Sequence, residues 1–197
     1  MDSMGIGTGS AAEAETEFRK IVDAVKAPRV LEMGTLRWSE RSTHHKEWFP
    51  HASEYIMTDV AAGPDVDIVA DAHTLSSQID GLFDAVIAIS VWEHLSRPWI
   101  AAAEIAKVLK PGGVVFICTH QSFPLHGYPN DYFRFSTEAL SIIFNDAGLK
   151  TVSEGYQYPA QLIPPPEITI WNPGAPVFLN VAWTGQSSAA STAKRSR

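Results

Sequence analysis

The chain has 197 residues, 45% of them hydrophobic, with 15 Lys and Arg against 22 Asp and Glu and a formal net charge of -7. This suffices for one well-filled core and is short for two ordinary domains. The acidic balance, with no basic cluster before Lys194, Arg195 and Arg197, argues against gripping a nucleic-acid backbone, and the lone Cys118 excludes an internal disulfide or a cysteine-rich zinc site.

No apolar run approaches the roughly 20 residues that span a bilayer, so no membrane partner is expected. Met1 to Ala14 lacks the pattern of a signal peptide, and a reducing cytoplasm is the expected home. Residues 1–10 and 185–197 are small, polar and rich in Gly or Ser, and read as disordered ends around one domain over 11–184.

Phe18, Ile21, Val22 and Val25 share a helix face that Pro28 stops. Arg29 to Met33 reads as a strand ending at Gly34. Glu54 to Thr58 and Val66 to Ala70 read as two more, each running into an aspartate, Asp59 and Asp71. His44 and His45 are placed on the polar face of a helix and, with His51, are read as solvated rather than ligating. Phe83 to Val91 is a long apolar run suited to a strand buried on both faces.

Ser96 is the expected cap of the next helix, with Pro98 in its first turn and Ala101, Ile105 and Val108 as its buried stripe. Pro111-Gly112-Gly113 is read as its terminator, followed by a strand from Val114 to Thr119. Leu140, Ile143, Phe144 and Ala147 mark one more amphipathic helix, stopped by Gly148. The last strands are expected over Lys150 to Gln157 and Val177 to Trp183. Strands alternating with helices predict an α/β doubly wound, Rossmann-like fold, whose ligands sit beyond the carboxyl ends of the strands.

Those strand ends carry the candidate binding residues. Gly34 lets backbone amides approach a ligand closely. Asp59 can accept hydrogen bonds from the two hydroxyls of a ribose. The turn Gly34-Thr35-Leu36-Arg37-Trp38-Ser39 lacks the G-x-G-x-x-G spacing that seats a pyrophosphate, which disfavours NAD. Glu32 is placed to favour a sulfonium and an ammonium. Asp71-Ala72-His73 offers an acceptor and a small residue to an adenine, although Asp71 serves equally well as a helix cap. Trp38 is assigned to core rather than to a ligand.

The run VLEMG, YIMTDVAAGPDVDIVADAHTL, FDAVIAISVWEHLSRPW and AEIAKVLKPGGVVFI resembles the class I S-adenosylmethionine-dependent methyltransferases, in their small-molecule, type 11-like branch. The resemblance covers Arg29 to Leu149. It implies a mostly parallel sheet with an antiparallel last strand, S-adenosylmethionine as cofactor, and a donor site formed by Glu32, Gly34, Thr35, Asp59, Val60, Asp71, Ala72, His73 and Ser90. One departure is that Leu36 and Trp38 stand where the first cofactor loop ordinarily has glycines.

Methyl transfer needs an aligned acceptor and, for a hydroxyl, a proton acceptor, for which imidazole has the most suitable ordinary pKa. Candidates are His126, His120, Asp131 and His94. Residues His126 to Ser136 fit the pattern H-x-x-P-x-D-Y-x-R-F-[ST] that recurs in related members, and Asp131 and Arg134 can pair to brace the loop. His120, His126 and Asp131 match no fixed metal-ligand spacing, and no metal site is assigned.

The expected function is methylation of a small acceptor, an oxygen of a sugar-like or secondary metabolite. A non-catalytic interaction module of the same fold and an NAD-binding oxidoreductase are the alternatives. Trp92, Trp99, Tyr128, Tyr132 and Trp171 are candidate pocket walls. The proline-dense stretch from Tyr158 to Pro176 is expected to cover the acceptor or to meet a second subunit in a homodimer.

Overall fold

The computed structural model describes residues 9–41, 43–127, 129–168 and 175–188. One seven-stranded sheet runs through it in the order β3-β2-β1-β4-β5-β7-β6. The strands are β1 (Arg29–Met33), β2 (Glu54–Asp59), β3 (Ile68–Val69), β4 (Phe83–Ile89), β5 (Leu109–His120), β6 (Leu149–Ala160) and β7 (Val177–Ser187). β1 to β5 pair in parallel, and β7 lies antiparallel to both β5 and β6. This is the doubly wound, mostly parallel arrangement with an antiparallel last strand that the sequence implies. Strand order reverses between β1 and β4, and this switch point fixes where a ligand can lie.

Each face of the sheet has its own core. Helix α1 (Ala11–Asp23) packs Phe18 and Val22 with Phe49, Ala85, Ile87 and Phe116 on one face. Ser10 caps it: the Ser10 hydroxyl accepts from the Glu13 amide and the Glu13 carboxylate accepts from the Ser10 amide, satisfying donors a helix start leaves bare. On the other face, α2 (Pro98–Val108) and α3 (Thr137–Asp146) bury Ala101, Ile105, Leu140 and Phe144 against Leu31, Val86, Val115 and Trp183. Phe144 stacks on Trp183 with ring centroids 4.4 Å apart and lies 5.1 Å from the Trp92 ring.

Several local expectations are corrected. Ser96 does not cap α2; the residue at that position is Arg97, with no side-chain cap, and the proline at the first turn does the work of starting the helix. Leu109 to Gly113 does not merely terminate α2 but begins β5, with an irregularity in pairing between Phe83 and Ala85 and a φ of +80° at Gly112. The third strand is only Ile68–Val69, because Asp67 turns its carboxylate onto the Met57 amide. Ser10 is ordered as a cap, and β7 extends to Ser187, where it pairs with Leu149; the remaining parts of both chain ends lie outside the described residues. Trp92 is fully buried core, whereas Trp38 is 70% exposed and does not fill the core. Among the described residues no helix is long and apolar enough to cross a membrane.

β6 and β7 pair antiparallel from Leu149–Ser187 to Ala160–Val177, and the proline-dense stretch begins inside β6 with Tyr158–Ala160. Trp171, with the rest of 169–174, and Tyr128 lie outside the described residues.

Removing the Phe144 ring leaves a cavity between two tryptophans that the backbone cannot close. Phe144→Ala is expected to lower the unfolding free energy by about 3–5 kcal/mol, measured by urea denaturation. A loss under about 1 kcal/mol would show that this stack does not anchor α3.

Candidate active site

The carboxyl ends of β1, β2 and β3 hold one half of the candidate site. Gly34 follows β1 with φ +78°, and a Cβ there would lie 2.3 Å from Val91 Cγ2, so the turn at the switch point accepts only glycine without rearrangement. The Gly34 and Thr35 amides donate to the Thr58 carbonyl at 2.7 and 3.2 Å. Thr35 is buried and its hydroxyl donates to the Asp65 carbonyl at 2.6 Å. Asp59, closing β2, accepts from the Leu36 amide through Oδ2 at 3.1 Å and from the Ala61 amide through Oδ1 at 3.2 Å. A carboxylate has about four acceptor positions, so Asp59 keeps capacity for a ligand. Val60 beside it is 61% exposed.

Glu32 is 3% exposed and heavily engaged. Its carboxylate accepts from the His45 amide at 2.9 Å, meets His45 Nδ1 at 2.7 Å, and accepts from the Tyr55 hydroxyl at 2.5 Å. Burial, followed by the Glu32 charge, pushes the Tyr55 phenol far above its ordinary value, so it stays a donor. His45 is therefore corrected from a solvated residue to a partner of Glu32, at the start of a short 3-10 turn (Lys46–Trp48). Asp71 caps the 3-10 segment Ala72–Ser77, and Oδ1 receives both the His73 amide and His73 Nδ1. The helix-cap reading of Asp71 thus holds, and His73 passes the link to the Arg97 amide through Nε2 at 3.3 Å. Ala72 is buried. Ser90, after β4, has φ +54°, a strained value for a residue with a side chain, and its amide donates to the Cys118 carbonyl at 2.8 Å.

The ends of β4 and β5 hold the other half. Its centre is Glu93, in the 3-10 turn Trp92–His94, with its side chain fully buried. Glu93 Oε2 accepts from the Thr119 hydroxyl at 2.7 Å. Oε1 has no hydrogen-bond partner among the described residues. His120 Nε2 lies 3.0 Å from it as an ion-pair contact out of hydrogen-bond alignment, and the Nε2 atoms of His94 and His126 lie 3.9 and 4.0 Å away. The three imidazoles converge, with His126 5.0 Å from the His94 ring and 5.2 Å from the His120 ring.

Burial pushes the Glu93 carboxyl up, but contact with His120 and the Thr119 hydrogen bond outweigh it, so the group stays below the ordinary carboxylate range. Burial likewise lowers His120, and the Glu93 carboxylate more than compensates, leaving it raised.

Arg134 braces the loop that carries His126. Its guanidinium takes the Asp131 carboxylate with two nitrogens, at 2.5 and 2.8 Å, and donates to the carbonyls of Phe123, Pro124 and Phe133. Asp131 Oδ2 also accepts from the His126 amide at 2.9 Å. The Tyr132 amide donates to the Glu93 carbonyl at 2.8 Å and the Phe135 amide to the His120 carbonyl at 2.9 Å, which stitches the loop to both strand ends. The expected Asp131–Arg134 brace is present, and it places Asp131 behind His126.

Sequence reasoning brought together His94, His120 and His126 but missed Glu93, on which they converge. Glu93 stands directly before His94 in the sequence, yet nothing local says which carboxylate a fold will bury.

A family model described as a methyltransferase domain matches residues 3–117, more than half of the chain. The chain belongs to the methyltransferase domain family. The Ubiquinone biosynthesis O-methyltransferase of Dechloromonas aromatica (strain RCB) is 30% identical over 97 residues, which cover 49% of this chain and 37% of that protein. The match thus spans well under half of that relative's length. Among solved structures, 1,6-didemethyltoxoflavin-N1-methyltransferase of Burkholderia thailandensis, crystallised with 1,6-didemethyltoxoflavin and S-adenosylhomocysteine, aligns with TM-score 0.60 at 14% identity over 90% of this chain and 78% of that one. The YcgJ protein of Bacillus subtilis aligns with TM-score 0.61 at 17% identity over 90% and 99%. These distant structures establish the fold, and the methyltransferase domain accords with S-adenosylmethionine as the cofactor.

Arg134 holds the Asp131 carboxyl well below its ordinary range. A carboxyl depressed in the folded state adds stability above its unfolded pKa, about 3.9, and loses it as pH falls below that value. Asp131→Asn should therefore flatten the acid side of the stability profile, read by thermal melts from neutral pH downward. An acid limb as steep in the variant as in the parent would remove this pair from the acid response.

Proposed function

We propose that the protein is an enzyme that transfers the methyl group of S-adenosylmethionine to a small acceptor, an oxygen of a sugar-like or secondary metabolite. The observation that carries this reading is the division of the sheet's carboxyl edge. Gly34 and Asp59 lie on one side of the switch point, and a cluster of imidazoles around one carboxylate lies on the other. A donor and an acceptor placed on the two sides would meet above Ser90. Bound S-adenosylmethionine supplies an electrophilic methyl on a sulfonium.

The chain's own residues bind and orient. Asp59 offers its remaining acceptor positions to the ribose hydroxyls, and Gly34 admits the ligand close to the backbone. Asp71 has both of its hydrogen bonds on Oδ1, which leaves Oδ2 for an adenine amino group. Glu32 acts through its charge from behind His45, since its oxygens already serve three donors. Thr35, Val60, Ala72, His73 and Ser90 line or support the same edge.

On the acceptor side, His126 is the proton acceptor. Its Nδ1 lies 3.1 Å from the Pro124 carbonyl and 3.6 Å from Asp131 Oδ2, acceptors that hold a proton on Nδ1 and make Nε2 the nitrogen available to take one from an acceptor hydroxyl. His120 and His94 hold the neighbouring positions and Asp131 fixes the loop. The O-methyltransferase named above supports an oxygen acceptor, on the segment that it shares with this chain. The single buried thiol, Cys118, suits a cytoplasmic protein without disulfides, and a homodimer is compatible with the exposed apolar residues Leu162 and Ile163 before β7.

Asp59→Ala should weaken S-adenosylhomocysteine binding at least about 100-fold, since two charge-assisted hydrogen bonds are lost. Isothermal titration measures this, and unchanged affinity would sink the ribose assignment. His126→Ala should slow turnover about 100-fold or more while leaving S-adenosylhomocysteine affinity within about threefold. Equal turnover in parent and variant would dismiss His126.

A further inference from the structure

We propose that Glu93, His94 and His126 form a binding site for a divalent transition-metal ion, zinc foremost, with one coordination position left open to an oxygen ligand. One ligand atom from each of Glu93, His94 and His126 lies within 4.8 Å of the other two. The Nε2 atoms of the two histidines stand 3.9 and 4.0 Å from Glu93 Oε1. Tetrahedral zinc with bonds of about 2.0–2.1 Å separates its ligand atoms by roughly 3.3 Å, so binding an ion draws the three side chains inward from their present spacing.

Proton placement agrees with ligation. His94 Nδ1 is 2.6 Å from the Asn130 carbonyl and His126 Nδ1 is 3.1 Å from the Pro124 carbonyl. A carbonyl can only accept, so Nδ1 of each ring carries a proton, and Nε2, which faces Glu93, is the nitrogen that a neutral ring offers to an ion. Backbone carbonyls behind ligating imidazoles are the common supporting arrangement of metal sites.

A second, independent observation is Glu93 itself. Its side chain is fully buried, and Oε1 lacks a hydrogen bond among the described residues. A buried carboxylate oxygen without a hydrogen bond is costly unless a positive charge lies beside it, and a bound cation supplies one. His120 Nε2, 3.0 Å away, is out of hydrogen-bond alignment with that oxygen. Thr119 fixes the opposite carboxylate oxygen at 2.7 Å and so orients Oε1.

Two nitrogens and one oxygen select zinc and its neighbours over magnesium or calcium, which take oxygen ligands. Three protein ligands with an open fourth position are the pattern of sites that lower the pKa of a bound water or hydroxyl. The ligand class is therefore a hydroxyl-bearing molecule. That last step rests on the methyl-transfer reading, and with the ion in place His126 is a ligand rather than the proton acceptor; the metal site itself does not depend on that reading.

The test uses the full chain, stripped with a chelator and then titrated with Zn2+ by calorimetry and with Co2+ by visible absorption. Expected are about one ion per chain, sub-micromolar zinc affinity and the intense visible bands of tetrahedral Co2+. His94→Ala and His126→Ala should each weaken zinc more than about 100-fold and abolish those bands. Thr119→Val, which touches only the ligand's support, should weaken it about 10-fold, and His51→Ala should change nothing. Absence of Co2+ bands in the parent, or binding indifferent to both histidine variants, overturns the proposal; the parent spectrum decides even if a variant fails to fold. Zinc bound without any methyl transfer would keep the metal site and remove the methyl-transfer reading. Methyl transfer unaffected by chelation, with no ion bound, would do the reverse.

Discussion

A carboxylate taken wholly out of water dictates the order of everything around it. Burial of Glu93 carries a desolvation cost of several kcal/mol, and side chains from three segments gather around it. Thr119 comes from the end of β5, His120 from the next residue, and His94 and His126 from the turn and loop beside them. The Glu93 carbonyl receives the loop backbone at Tyr132 as well. The same residue therefore fixes both the electrostatics of this edge and the path of the chain above it.

The loop's shape follows from that anchoring. Among the described residues between β5 and α3 there is no regular ladder, so their polar backbone needs other partners. Arg134 supplies them, serving three carbonyls and a carboxylate at once, and Ser136 ends the segment by capping α3 through the Ala139 amide. A planar guanidinium with a fork of donors can do this where a lysine cannot. Across the switch point the arrangement is different in kind. Glu32 is satisfied by His45 and Tyr55, and Asp59 by amides of its own turn and of the loop after Gly34, so the two halves of the edge are held by separate networks.

Elements with strong periodicity were legible in the sequence, and so was their order. β1 was readable residue for residue from Arg29 to Met33, and α1, α2 and α3 showed their buried stripes because helix burial repeats along the chain. Boundaries set by tertiary partners were not legible. Ser96 has the chemistry of a cap but not the position, and Leu109 to Gly113 looks like a stop signal although β4 recruits it into a strand. Trp38 is exposed because the loop, not the hydropathy of one side chain, decides its place. In the site, the histidines announced themselves by type, whereas His45 and Glu93 depended on contacts 13 and 26 residues away in the chain, with Glu32 and Thr119. No local pattern encodes such pairs.

β7 enters the sheet between β5 and β6 and carries Asn180, whose side-chain oxygen lies 3.0 Å from His120 Nδ1. During synthesis β5 and β6 leave the ribosome first, and neither can pair with the other in the native order. The nascent chain must hold the long, apolar edge of β5 open until Val177–Ser187 emerges, and an open apolar edge invites association with other chains. Pairing of β7 thus both closes the gap between β5 and β6 and seats His120, so a growing chain acquires this histidine geometry only once Val177–Ser187 has docked.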